Sequence, residues 1–121
     1  MKNPTVVRVT TLSVLTSLVD GQATSDELDI MSQEISSVFG VAEDEVRGFA
    51  QKLIDVYQKK NIAANPVALV KQGQSALGSL SGSNRTKTME IARKVANSGG
   101  LEASEATFLD NLAQYVKRYR R

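Results

Sequence analysis

A chain of 121 residues with 41% apolar side chains can form one compact domain and is too short for two ordinary ones. Cys and His are both absent, which excludes disulfides, thiolate and imidazole metal sites and the commonest general base, and leaves oxygen ligands and hard cations such as Ca²⁺ or Mg²⁺. No apolar run approaches the roughly 20 residues needed to cross a bilayer, Met1-Lys2-Asn3-Pro4 opens no signal-peptide pattern, and a formal charge of +2 is too small to imply nucleic acid, so a single cytoplasmic domain over 1–121 is expected.

Six helical segments follow in chain order. The first runs from Thr5 to Val19. It is rich in Val and Thr, yet its length and the spacing of Leu12, Leu15, Leu18 and Val19 favour a helix over a strand. Apolar residues all round it predict a central, buried element. Asp20-Gly21 ends it, with Gly supplying the left-handed turn. The second spans Ser25 to Phe39, with Leu28, Met31, Ile35, Val38 and Phe39 on one face. Thr24-x-x-Glu27 is a capping-box pattern for its start, and Gly40 stops it. The third begins near Ala42 with Glu43, Asp44 and Glu45 and continues to Lys60. Its stripe is Val46, Phe49, Ala50, Leu53, Val56 and Tyr57.

A loop over Asn61 to Asn65 leads to a fourth helix starting at Pro66, where no amide donor is needed. Val67, Val70, Leu77 and Leu80 are expected inside, although Gly73 and Gly78 each cost the helix roughly 1 kcal/mol against Ala. Ser81-Gly82-Ser83-Asn84 reads as a polar loop, with Asn84 or Thr86 as the next cap. The fifth helix covers Lys87 to Asn97 and shows Met89, Ala92, Val95 and Ala96. The sixth covers Ala103 to Tyr119 and shows Phe108, Leu109, Leu112, Tyr115 and Val116. Short connections favour antiparallel neighbours. The expected fold is therefore an all-α, compact bundle of about six to seven helices.

A phrase is repeated along the chain. Asp20-Gly21-Gln22-Ala23-Thr24-Ser25-Asp26-Glu27 is echoed by Ser98-Gly99-Gly100-Leu101-Glu102-Ala103-Ser104-Glu105. The same offset lays Val14 on Ala92, Leu18 on Ala96, Ile30 on Phe108, Met31 on Leu109 and Val38 on Val116. Helix, tight acidic turn and helix thus occur twice, as two pseudo-symmetric hairpins. Facing each other, they would bring their acidic turns close together.

These residues resemble the TerB-like family of tellurite-resistance proteins. The resemblance spans about Val6 to Val116. It is carried by Leu18-Val19-Asp20-Gly21-Gln22-Ala23 with Glu27, and by Val95-Ala96-Asn97-Ser98-Gly99-Gly100-Leu101 with Glu105 and Phe108-Leu109. It implies an all-helical fold of two pseudo-symmetric hairpins. It also implies acidic side chains near the turns that take metal ions such as calcium, and a place in tellurite or other stress resistance. The residues so marked are Asp20, Glu27 and Glu105. Ser98 departs from the pattern, standing where the second turn would have Asp, so the second turn offers only Glu105 and Glu102 as charged oxygens.

Two readings stand open at these acids. Asp beside Gly is ordinary turn chemistry, and first-turn Glu residues serve caps and the helix dipole. Alternatively, the turns coordinate Ca²⁺ or another divalent cation weakly, or present an acidic surface to a protein partner. The Asp20 segment is not an EF-hand loop, because it lacks acids at the third and fifth positions and its Glu comes too early. No Ser-x-x-Lys, P-loop or dinucleotide pattern is present, and with no His or Cys no nucleophile is evidently activated. A binding module rather than an enzyme is expected. A separate expectation attaches to Tyr115-Val116-Lys117-Arg118-Tyr119-Arg120-Arg121. Bases interleaved with aromatics suit nucleic acid or an anionic membrane surface, or simply a helix C-terminus. Nothing elsewhere in the sequence marks an extension of that patch.

Overall fold

The computed structural model of the chain describes residues 3–19, 21, 23–98 and 103–119, with the backbone alone for 118 and 119. Six α-helices and one 3₁₀ turn make up the fold, and no strand occurs among the described residues.

Helix α1 (Pro4–Leu18) starts where Asn3 caps it: the Asn3 Oδ1 accepts the Val6 amide at 3.2 Å, and Pro4 occupies the first turn. It packs against all five other α-helices. Leu12, Leu15 and Leu18 are fully buried, each contributing on the order of 2 kcal/mol through burial. The same helix also buries Ser13, Thr16 and Ser17. Their hydroxyls donate to the carbonyls of Val9, Leu12 and Ser13 one turn back, at 3.0, 2.9 and 3.2 Å. A polar atom satisfied by its own helix can sit in an apolar core without the desolvation cost of an orphan.

Helix α2 (Ser25–Phe39) ends at Gly40, whose φ of 68° is left-handed and whose amide donates to Ser36 O at 2.9 Å. Helix α3 (Glu43–Lys59) packs on α1 and α2. Arg47 ties it to Asp29 at 2.7 Å. The 3₁₀ turn Ile62–Ala64 then leads into α4 (Pro66–Gly78), capped by Asn65, whose Oδ1 accepts the Ala68 amide at 3.1 Å. The two glycines of α4 face α6. A Cβ at Gly73 would stand 3.0 Å from Leu112 Cδ2, and one at Gly78 would stand 3.0 Å from the Tyr115 hydroxyl. The helix tolerates both because they let α6 (Ala103–Tyr119) approach closely.

Helix α5 (Gly82–Ser98) begins five residues before the expected Lys87. Ser81, not Asn84 or Thr86, caps it: its Oγ accepts the Asn84 amide at 3.3 Å and its carbonyl accepts the Arg85 amide at 2.8 Å. The polar run 82–84 is therefore first-turn helix rather than loop. Three apolar positions also differ from expectation. Val67 is 63% exposed, Val56 45% and Val38 41%. In α4 and α3 the inward positions are taken by Leu69 and Ile54, each close to its displaced neighbour. Val67 and Val56 each lie two residues, about 200° of helix rotation, from those positions and so face solvent.

The repeat holds in the helix boundaries. Pro4 and Gly82 open α1 and α5, and Ser25 and Ala103 open α2 and α6, so both pairs of starts are 78 residues apart. Within each hairpin the helices touch, and α1 packs against α5 at the centre. A further link joins the hairpins: Lys94 Nζ donates to Glu34 Oε1 at 2.5 Å, holding α5 to α2.

Candidate functional site

Glu27 sits at the third position of α2 and Glu105 at the third position of α6. They are 2% and 1% exposed. For Glu27 the local reason is the capping box that its spacing predicts. Thr24 Oγ1 accepts the Glu27 amide at 3.1 Å, and Glu27 Oε1 accepts the Thr24 amide at 2.9 Å. A helix N-terminus is where a carboxylate is best tolerated away from water, because the helix dipole and the open amides favour negative charge there. Burial also removes both side chains from the surface. Neither Glu27 nor Glu105 thus offers its carboxylate at the surface.

Asp20, Glu102 and the pair Gly99-Gly100 lie outside the described residues. Their neighbours nonetheless relate the two turns. Val19, the last residue before Asp20, lines a cleft of about 320 Å³ together with Ala103, Ser104 and Phe108 of α6. Gly21, with a φ of 101°, lies beside Leu18 and against Tyr57, Asn61 and Ile62. The end of α1 is thus set between the start of α6 and the end of α3. Tyr57 lines the same corner, and partial burial raises its pKa above the usual value near 10.0.

The other acids are spent or solvated. Asp29 pairs with Arg47 and Glu34 with Lys94. The hydrogen bond that Lys94 donates to Glu34, and then the charge of Glu34, raise the Lys94 pKa above its ordinary value. Asp26, Glu43, Asp44 and Glu45 are exposed in first turns. Among the described residues no three Asp, Glu, His or Cys side chains gather closely enough to hold a metal ion. A cation site at the turns would therefore need Asp20 with Glu27 and Glu105. The donor chemistry of that set is all oxygen and suits a hard cation.

The fold sets Lys71 and Arg85 beside α6, which the sequence alone did not reveal. Tyr115 lines a groove with Lys71 of α4, and Val116 lines a second cleft with Gly82, Ser83, Arg85 and Thr86 of α5. Lys117, the next residue of α6, is exposed. Arg85 is anchored by donating from Nε to Leu80 O at 2.9 Å. No described helix is long and apolar enough to cross a membrane.

Set against known proteins, the chain matches no family model, no curated protein and no solved structure.

Proposed function

We propose that this protein is a non-enzymatic binding module of the TerB-like kind, in which the two turns together take up a hard divalent cation weakly. The observation that carries the reading is the shared cleft wall: Val19, at the mouth of the first turn, stands with Ala103 and Ser104, at the exit of the second. The common position of Glu27 and Glu105 adds to it, because each hairpin directs one buried carboxylate to the same place in its own repeat. Asp20, Glu27 and Glu105 would supply the charged ligands, with carbonyls and water completing the six to eight oxygens that Ca²⁺ takes. So few carboxylates imply low affinity. The tie to tellurite or stress resistance belongs to the same proposal through the family resemblance.

Amide NMR spectra recorded during titration with Ca²⁺ and then Mg²⁺ test the reading. Saturable shifts centred on residues 20–27 and 98–105, abolished in Asp20→Asn/Glu27→Gln, are expected. A flat response, or one unchanged in the double variant, would make both acids purely structural.

A further inference from the structure

Two clefts along α4 and α6 form one trough. The cleft of about 320 Å³ beside Val19 and a groove of about 540 Å³ share Pro66, Val70 and Asn111, so they run into each other. The two helices close on each other at Gly73 and Leu112, which line neither space, so the trough follows the outer side of that seam. Its walls recur every three to four residues, at 66, 70 and 74 on α4 and at 104, 107, 111 and 114 on α6. That period keeps positions on one face of a helix. At about 1.5 Å per residue the two walls are about 12 and 15 Å long, so the space is elongated.

The trough changes character along its length. Val19, Ala63, Leu69 and Phe108 line the smaller end, where the Thr107 hydroxyl is already satisfied by donating to Ala103 O at 3.0 Å. The other end carries the amides of Gln74 and Gln114 and the ammonium of Lys71. Lys71 is the one charged side chain among the described lining residues, and it makes no ion pair among the described residues. Residues 56–89 and 111–121 contain no acid, so these stretches of chain offer it no carboxylate. Val67, 63% exposed, lines the same end and turns an apolar side chain to the trough instead of the core.

One positive charge at the end of an apolar slot is complementary to a molecule with an apolar body and one terminal negative charge. A polyanion would find a single cation, and a cationic amphiphile would be repelled by it. The smaller end alone reaches the range of about 300–1,000 Å³ typical of small-molecule sites. An extended carbon chain advances about 1.25 Å per bond, given bonds of about 1.52 Å and angles of about 111°. The α4 wall therefore accommodates roughly ten bonds. We infer that the α4–α6 trough binds a medium-chain fatty acid of about eight to ten carbons. The tail lies against Leu69 and Phe108, and the carboxylate accepts from Lys71 with the amides of Gln74 and Gln114 beside it. This inference is independent of the cation site at the turns, because neither Glu27 nor Glu105 lines the trough.

The test is amide NMR titration of the full chain in EDTA with butanoate, hexanoate, octanoate, decanoate and dodecanoate, each below its micellar concentration. A fully buried methylene is worth about fourfold in affinity, and an open trough buries only part of each. Affinity is expected to rise about two- to fourfold per methylene up to octanoate or decanoate and then to level off. Shifts should centre on Val70, Lys71, Thr107, Asn111 and Gln114. Lys71→Gln should weaken octanoate about two- to fivefold. Thr107→Trp, which fills the apolar end, should abolish binding, and Lys52→Gln, on α3, should leave it unchanged. All three positions are exposed, so the variants are expected to fold, which circular dichroism verifies. Affinity independent of chain length, octylamine binding as tightly as octanoate, or undiminished binding by Thr107→Trp would overturn the assignment. Binding only to phosphatidylglycerol vesicles, with none to the free acids, would overturn it in favour of a membrane surface. A concentration-dependent dimer that shields the same amides and takes up no octanoate would overturn it in favour of a second copy of the chain.

Discussion

Glu27 and Glu105 occupy the same place in two helices 78 residues apart: each is the third residue of its helix and each is buried. The relationship explains why acids recur at that spacing. A carboxylate held over a helix start satisfies amides that would otherwise be orphaned, and the chain entering the helix closes over it. For Glu27 the reciprocal pair with Thr24 makes this directly measurable. Thr24→Ala is expected to lower the unfolding free energy in urea by about 1 kcal/mol. Glu27→Leu strands the Thr24 amide as well as losing the charge at the dipole, and is expected to cost more, about 2 kcal/mol. An unchanged urea midpoint for either variant would contradict the cap as the reason for burial.

Thr10 provides a prediction of the opposite sign. It is fully buried in α1, and its Oγ1 finds no hydrogen-bond partner among the described residues. Thr16, on the same helix, donates to Leu12 O at 2.9 Å. A valine matches threonine in shape and in its branching at Cβ. Thr10→Val is therefore expected to raise stability by about 1 kcal/mol by removing an unsatisfied hydroxyl. Thr16→Val removes a satisfied one and is expected to lie near zero or slightly below. Equal effects at the two positions in a urea series would show that Thr10 is as well satisfied as Thr16.

Much of this architecture is legible in the sequence, because local rules and the burial pattern agree. Thr24 with Glu27, Gly40 and Pro66 each fix a helix end by chemistry that can be read residue by residue, whereas the Asn65 cap of α4 emerges only in the structure. The apolar surround of Leu12, Leu15 and Leu18 marks α1 as the central helix. The errors have physical causes too. Ser81 and Asn84 are both competent caps, and only the register of α5 decides between them. Val67 and Val56 lie two residues, about 200° of rotation, from the buried Leu69 and Ile54, and apolar character alone does not mark which face each helix buries. The candidate sites are less legible. That Val19 meets Ser104, or that Lys71 joins the groove of Tyr115, depends on packing between residues far apart in the chain.

The glycines Gly48 and Gly73 both lie inside helices, and the same substitution is expected to act oppositely on them. A Cβ at Gly48 would meet nothing within 4 Å. Gly48→Ala therefore gains helix propensity alone, about 0.5–1 kcal/mol. At Gly73 the added carbon would stand 3.0 and 3.2 Å from the two methyls of Leu112 and 3.4 Å from Leu12 Cδ1. Both leucines are fully buried and cannot swing away. The overpacking, about 1–3 kcal/mol, exceeds the propensity gain, so Gly73→Ala should destabilise. Stabilisation by Gly73→Ala would mean that α4 and α6 can separate without cost, and that the groove between them is not fixed.

Alkaline unfolding separates the link between the hairpins from the corner beside the first turn. Lys94 holds its proton more firmly in the folded state because of the hydrogen bond to Glu34 and then that residue's charge. Tyr57 holds its proton more firmly because burial disfavours the phenolate. Both pKa values are raised on folding, so the folded state binds more protons than the unfolded chain above about pH 10. The stability each contributes is fully present below the unfolded pKa and is lost as pH rises through the folded one. Melting temperature should fall between about pH 9 and pH 12. Glu34→Gln weakens the hold on Lys94 and Tyr57→Phe removes the phenol, so each should flatten part of that fall, and the two together more than either alone. A double variant that falls as steeply as the wild-type chain would assign the alkaline loss to other groups and leave the α2–α5 ion pair without a role in joining the hairpins.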